Sequence, residues 1–137
     1  MRHLKLILAP VMAIALAACA TTDADLPSIE ERMAERGYLI GPADQRIPRY
    51  RISSWQSVDD DHLIVRSGVR DHFLVELRGP CLELNSAFFV GFSTPTSRID
   101  RFADVIVAGP GRMRERCSIR NIYVLTDVDN DDLAGSS

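Results

Sequence analysis

No run of apolar residues in this chain of 137 is long enough to cross a bilayer. The longest, Leu6 to Ala18, covers thirteen residues and contains Pro10. A spanning helix takes about 20 such residues, and an interior proline breaks its ladder. Lysine is nearly missing too: it occurs once, as Lys5, and every later basic residue is arginine. With residues 1–18 set aside, 14 basic side chains stand against 19 acidic ones, a net charge of −5. That lacks the basic surplus of a nucleic-acid-binding protein, so no nucleic-acid partner is expected. There is no C-x-x-C, no G-x-S-x-G and no internal repeat or low-complexity tract beyond an acidic tail. Gly109-Pro110-Gly111 is broken by proline and lacks the Lys-Ser/Thr of a phosphate-cradling loop.

What is present at the N-terminus is Arg2 and Lys5, the short apolar run, and then Cys19. This order of charge and hydropathy is that of a secretory signal. Leu16-Ala17-Ala18-Cys19 resembles a bacterial lipobox. The resemblance implies that the Cys19 thiol takes a diacylglyceryl group, that the bond before it is cut, and that the new amine is acylated. Two or more acyl chains anchor firmly where one does not. Ala20 rather than Asp follows the cysteine, which in the enteric sorting rule implies passage to the outer membrane. The alternative is a secreted protein cut after an Ala-x-Ala-like site. The expected layout is a signal peptide over 1–18, the lipidated cysteine with a tether and short helix over 19–46, a β domain over 47–126, and an acidic tail over 127–137.

Export changes how the other two cysteines read. Cys81 and Cys117 form an even pair in an oxidising compartment, where a structural bridge is the usual outcome. A redox pair or a metal site are the rivals. His62 and His72 lack zinc-ribbon spacing to either cysteine.

Ser28 and Glu31 have capping-box spacing, Arg36 sits at the end of the same stretch, and Gly37 is placed to stop it. A short helix is expected there, with Ile29 and Met33 on its inner face. From Tyr50 the pattern changes to short alternating runs. Strands are expected at 51–55, 62–66, 71–78, 88–92, 102–108 and 117–126. Ser67-Gly68 is the expected turn between the second and third. Residues 88–92, Phe-Phe-Val-Gly-Phe, are apolar on both faces, which predicts a buried strand with Gly91 as a bulge. A second bulge is expected near Asn121, where Ile119, Ile122 and Val124 skip a beat. Cys81 to Asn85 reads as a single helical turn. The expected fold is mainly β: a small antiparallel barrel or sandwich of about six strands with one short N-terminal helix.

These residues resemble a known group. Ile52-x-x-Trp55, Phe73-Leu74-Val75-x-Leu77, Pro80-Cys81-x-x-Leu84, Asp104 and Cys117-x-Ile119-x-x-Ile122, over about residues 46–126 and the lipobox, are similar to a family of short proteobacterial lipoproteins of unknown function. The resemblance implies the paired cysteines, the tryptophan strand and the anchor, and no activity. Phe73 stands where that family has Tyr.

Three constellations carry chemistry. Asp127-x-Asp129-x-Asp131 begins like a calcium loop, but Asp132 occupies the glycine place. Asp59, Asp60, Asp61 and His62, with His72, offer hard ligands at one end of a hairpin if residues 62 and 72 face each other. Arg112, Arg114 and Arg116, in an extended segment, line one face and suit carboxylate or phosphate groups. The leading expectation is a non-enzymatic structural or interaction module without a cofactor, lipid-anchored on the periplasmic face of the outer membrane. Its partners would be the membrane and an envelope protein or anionic envelope polymer. The rivals are an anion-binding module using the three arginines, and a metal protein or enzyme using the Asp59–His62 group.

Overall fold

A computed structural model describes residues 27–111 and 114–128. Helix α1, Ile29–Glu35, begins where the sequence places its cap: Ser28 is extended, and its Oγ accepts the Glu31 N–H at 3.2 Å. Glu30 and Glu31 lie at the positive end of the helix dipole. Gly37, at φ 87°, takes the left-handed conformation that ends it. Seven residues do not make a stable helix alone. Met33, fully buried against Ile64, Leu74 and Leu125, fixes α1 to the sheet.

Nine strands follow among the described residues: β1 Tyr38–Ile40, β2 Ile47–Pro48, β3 Ile52–Ser57, β4 His62–Ser67, β5 Asp71–Leu77, β6 Phe89–Ser93, β7 Arg98–Ile99, β8 Asp104–Ala108 and β9 Glu115–Asp127. Six form an antiparallel, nearly closed barrel-like sheet in the order β3-β4-β5-β9-β8-β6. β1 adds to β9, and β2 pairs with β7 as a separate two-stranded ribbon. The mainly-β expectation is met, and of barrel and sandwich the barrel is the form observed.

Leu63, Val65, Val75, Leu77, Val105, Val107, Ile119 and Ile122 point into the barrel. The predicted bulge is present. Glu76 faces Asn121 and Leu77 faces Ile119, so Arg120 is the extra residue. That insertion reverses side-chain parity, which is why residues three apart, Ile119 and Ile122, both reach the interior. On the outer face Ile64, Leu74 and Leu125 meet α1. β4 is apolar on both faces because both are covered.

Two expectations about residues 88–92 are corrected. β6 is an edge strand, not a buried one: Phe88 is 74% exposed and Phe89 47%, while Val90 and Phe92 pack inward. Gly91 is no bulge, since β6 and β8 pair without a shift from Phe89–Ala108 to Ser93–Asp104. A Cβ on Gly91 would stand 3.1 Å from the Phe89 ring. The glycine makes room for that ring on the outer face.

Cys81 and Cys117 stand in disulfide contact with Cα atoms 6.0 Å apart, tying the connection after β5 to the start of β9. The predicted turn at Cys81 is two successive turns, Leu84 N–H to Cys81 O and Ala87 N–H to Leu84 O. Both Cys81 and Leu84 are fully buried. The bridge closes a loop of 36 residues, worth about 4 kcal/mol in the loop-entropy relation. The double variant Cys81→Ala, Cys117→Ala is therefore expected to lose about 3–4 kcal/mol of unfolding free energy. Equilibrium urea denaturation measures this, and the same loss should follow reduction of the wild type.

Candidate functional site

The turn from β3 to β4 gathers the densest set of ionisable groups. The Asp61 N–H donates to Asp59 Oδ1 at 3.0 Å, folding the turn on itself. His62 Nδ1 lies 2.9 Å from Asp59 Oδ1 and 2.9 Å from Asp61 Oδ1, and its Nε2 is 3.8 Å from Glu76 Oε2. Arg32 reaches over from α1 to pair with Asp59. Asp60 turns away and accepts from Asn85 Nδ2 at 2.6 Å. Beside the cluster is an open cleft lined by Pro27, Arg32, Asp59, Asp60, Asp61 and Pro80.

His72 is not part of this group. His62 faces Glu76, and His72 faces Arg66. Four positions of register put the two histidines about 13 Å apart along the hairpin. The expected facing pair fails because the turn falls later in the chain and is longer than Ser67-Gly68: Ser67 is still in β4 and pairs with Asp71, leaving Gly68, Val69 and Arg70 in the loop. His72 instead packs its ring against Tyr38, centroids 5.2 Å apart.

Burial alone would raise the Asp59 carboxyl, but hydrogen bonds to Asp61 and its backbone N–H, together with His62, hold it well below the usual range. The Asp61 carboxyl moves up, first because it shares a hydrogen bond with Asp59 and then through burial. Asp59 thus keeps the charge, and Asp61 is the readier of the two to take a proton. Asp59, Asp61 and His62 each offer one ligand atom within 4.8 Å of the others. The Arg32 guanidinium already stands on Asp59, however, and His62 Nδ1 serves both carboxylates. The arrangement works as a clasp between α1 and the β3–β4 turn. Cys81, Glu115 and Cys117 also lie close together, but both sulfurs are taken by the bridge.

Of the arginine segment, Arg114 and Arg116 are among the described residues. Cys19, Arg112 and residues 129–137 lie outside the described residues. Arg114 is exposed just ahead of β9. Arg116 pairs with Asp104 at 2.8 Å, and the other oxygen of that carboxylate accepts from Ser118 Oγ at 3.0 Å. Glu115 points elsewhere and takes the Leu82 and Glu83 N–H groups, each at 3.0 Å.

A family model matches residues 2–136. The chain belongs to DUF6491, a family of unknown function. No curated protein and no solved structure matches it. The resemblance seen in the sequence is thus met at the level of an uncharacterised family.

In this DUF6491 chain a second basic feature escaped the sequence reading, and the expectation of no internal repeat is corrected. Arg46-Ile47-Pro48-Arg49-Tyr50 and Arg98-Ile99-Asp100-Arg101-Phe102 share the pattern Arg-Ile-x-Arg-aromatic. The fold lays the two copies antiparallel as β2 and β7, with Ile47 opposite Ile99. Both isoleucines are fully buried. The arginines and rings of both copies are exposed. The pattern itself was the available signal, but five residues fall below the length at which repeats announce themselves.

The clasp has a pH signature. A carboxyl held low in the folded state adds stability that is present above its unfolded value, near 3.9, and is lost as pH falls through the folded value. Asp59→Asn is expected to cost about 1 kcal/mol at pH 7, with the gap to wild type closing below about pH 4. Asp61→Asn removes the upward-shifted carboxyl and is expected to leave the neutral-pH midpoint unchanged or raised. Thermal midpoints between neutral and acid pH read both.

Proposed function

We propose that this protein is a lipid-anchored envelope protein, held through Cys19 on the periplasmic face of the outer membrane, whose β domain is a non-enzymatic structural or interaction module. The observation that carries the reading is the order of charge, thirteen apolar residues and Leu16-Ala17-Ala18-Cys19 at the N-terminus. The even pair Cys81 and Cys117 supports it, because a bridge suits an oxidising compartment. The non-enzymatic part is supported by the state of the cluster at the β3–β4 turn, where the His62 Nδ1 lies between Asp59 and Asp61 and Arg32 pairs with Asp59. Among the described residues, no helix is long and apolar enough to cross a membrane.

A second reading is an anion-binding module using Arg112, Arg114 and Arg116. The exposure of Arg114 and Arg116 favours it, and the pairing of Arg116 with Asp104 weighs against it.

The intact mass of protein extracted from membranes tests the first reading. It is expected to begin at Cys19, to carry acyl chains, and to take no thiol-alkylating reagent until reduced. A chain without acyl mass that starts elsewhere contradicts the anchor, and two reactive thiols contradict the bridge.

A further inference from the structure

We propose that the β2–β7 ribbon is a docking surface for an anionic phospholipid bilayer: Arg46, Arg49, Arg98 and Arg101 take headgroup phosphates, and Tyr50 and Phe102 enter the interface. This goes beyond the lipid anchor and does not depend on it.

The geometry follows from two buried side chains. Ile47 and Ile99 face each other across the ribbon and are fully sunk in the barrel interior. Side chains on either side of them in an extended strand must point outward. Arg46 and Arg98 occupy those places, and Arg49 and Arg101 follow two residues on; all four are exposed. Among the described residues, Arg46, Arg49 and Arg98 form no ion pair. Arg101 has only the exposed Asp44, at 3.7 Å. Asp100, the one acid within the two segments, spends an oxygen on the Phe102 N–H at 2.9 Å.

Charge is concentrated here against the trend of the chain. The protein as a whole carries −3, yet segments 46–51 and 98–102 hold five arginines and one aspartate. Tyr50 is 83% exposed and Phe102 72%. The Arg101 guanidinium lies 5.0 Å from the centre of the Phe102 ring. Large rings held in water beside exposed guanidinium groups have a natural counterpart at a membrane surface. Aromatic side chains settle at headgroup depth, and guanidinium forks match phosphate oxygens.

The antiparallel repeat gives the ribbon two similar ends. At one, a hollow of about 130 Å³ is lined by Arg46, Arg101 and Phe102 together with Asp44, Gln45 and Asp100. At the other, Arg49 and Tyr50 border a hollow with Thr96 and Ser97. Each end combines a guanidinium with an exposed ring. A planar bilayer can engage both at once. Nucleic acid fits less well, because it calls for a continuous basic track.

The ribbon also sits away from the N-terminal attachment. It leads into β3 at Ile52, whereas Pro27 borders the cleft at the β3–β4 turn, beyond the other end of that strand. Docking would be a second contact, separate from the tether.

The test uses the chain from residue 19 carrying Cys19→Ser, so that neither an acyl group nor the apolar segment Leu6 to Ala18 contributes, and co-sedimentation with vesicles. Binding is expected to mixed phosphatidylglycerol–phosphatidylcholine vesicles and not to phosphatidylcholine alone. The variant Arg46→Ser, Arg49→Ser, Arg98→Ser, Arg101→Ser is expected to weaken binding about fivefold per arginine, while Arg46→Lys, Arg49→Lys, Arg98→Lys, Arg101→Lys retains most of it. Tyr50→Ser with Phe102→Ser, which leaves the charge unchanged, is expected to weaken it about tenfold. All these sites are exposed, so thermal midpoints should stay at the wild-type value. The second variant reads the proposal separately should the first fail to fold. Equal binding to neutral vesicles, or full binding by the serine or aromatic variants, overturns it. So does release by inorganic phosphate beyond that given by sodium chloride at the same ionic strength, which would make the ligand a free anion. Tighter binding of an oligonucleotide than of the vesicles would replace the bilayer with nucleic acid.

Discussion

The fold depends on β9 being hydrogen-bonded along both edges. β5 runs along one edge, from His72 opposite Leu125 to Leu77 opposite Ile119. The other edge is shared in sequence by β8, Ala103, Gln45, Pro42, Gly41 and β1. A strand of thirteen residues is long for a domain of this size, and leaving either edge open would strand a row of polar backbone groups. Gly41 shows how close this sealing is: a Cβ there would stand 2.6 Å from Val124 Cγ1. The Arg120 bulge lets the same strand serve the interior through Ile119 and Ile122 and the outer layer through Tyr123 and Leu125. The Cys117 bridge fixes where the strand begins.

With β9 at the centre, the weak place is the seam where β3 and β6 end the barrel sheet without pairing. The β2–β7 ribbon sends Ile47 and Ile99 into the interior there, alongside Ile52, Trp55, Val90 and Phe92. Arg49 N–H to Ser97 O extends the pairing within the ribbon, and Gly68 N–H to Arg51 O holds the residue before β3 to the β4–β5 turn. A short ribbon held by two apolar side chains has its remaining side chains free for the outside. At the other end of β3 the opposite holds: Asp59 and Asp61 share the His62 Nδ1, and Arg32 pairs with Asp59, which joins the helix to the turn. One end of β3 thus consumes its charges in the fold, and the other presents them.

Local rules made much of this legible. Ser28 and Gly37 bound the helix because a cap and a left-handed stop are decided by a few neighbouring residues. The alternating runs at 62–67 and 71–77 became strands, and the skipped beat before Ile122 became a bulge. The cysteine pair needed only a count and a compartment. Features set by pairing were not legible. The turn begins after Ser67 rather than at it and takes three residues, and that moved His72 away from His62. Phe88 and Phe89 look like core in sequence, yet β6 lies at the seam and its outer face is uncovered. β1 carries three residues and takes its strand conformation from β9. The arginine ribbon was hidden because its two halves are far apart in sequence and meet only through β2 and β7.

Amide hydrogen exchange on the native protein tests the central place of β9 most directly. If β9 holds the ladders together, the amides of residues 117–125 exchange slowest of all and only through global unfolding. Those of β3, β6 and the β2–β7 ribbon then open earlier, at lower free energy. Exchange in β9 faster than in β3 or β6 would contradict the account, because the barrel would then be held from its seam rather than from its longest strand.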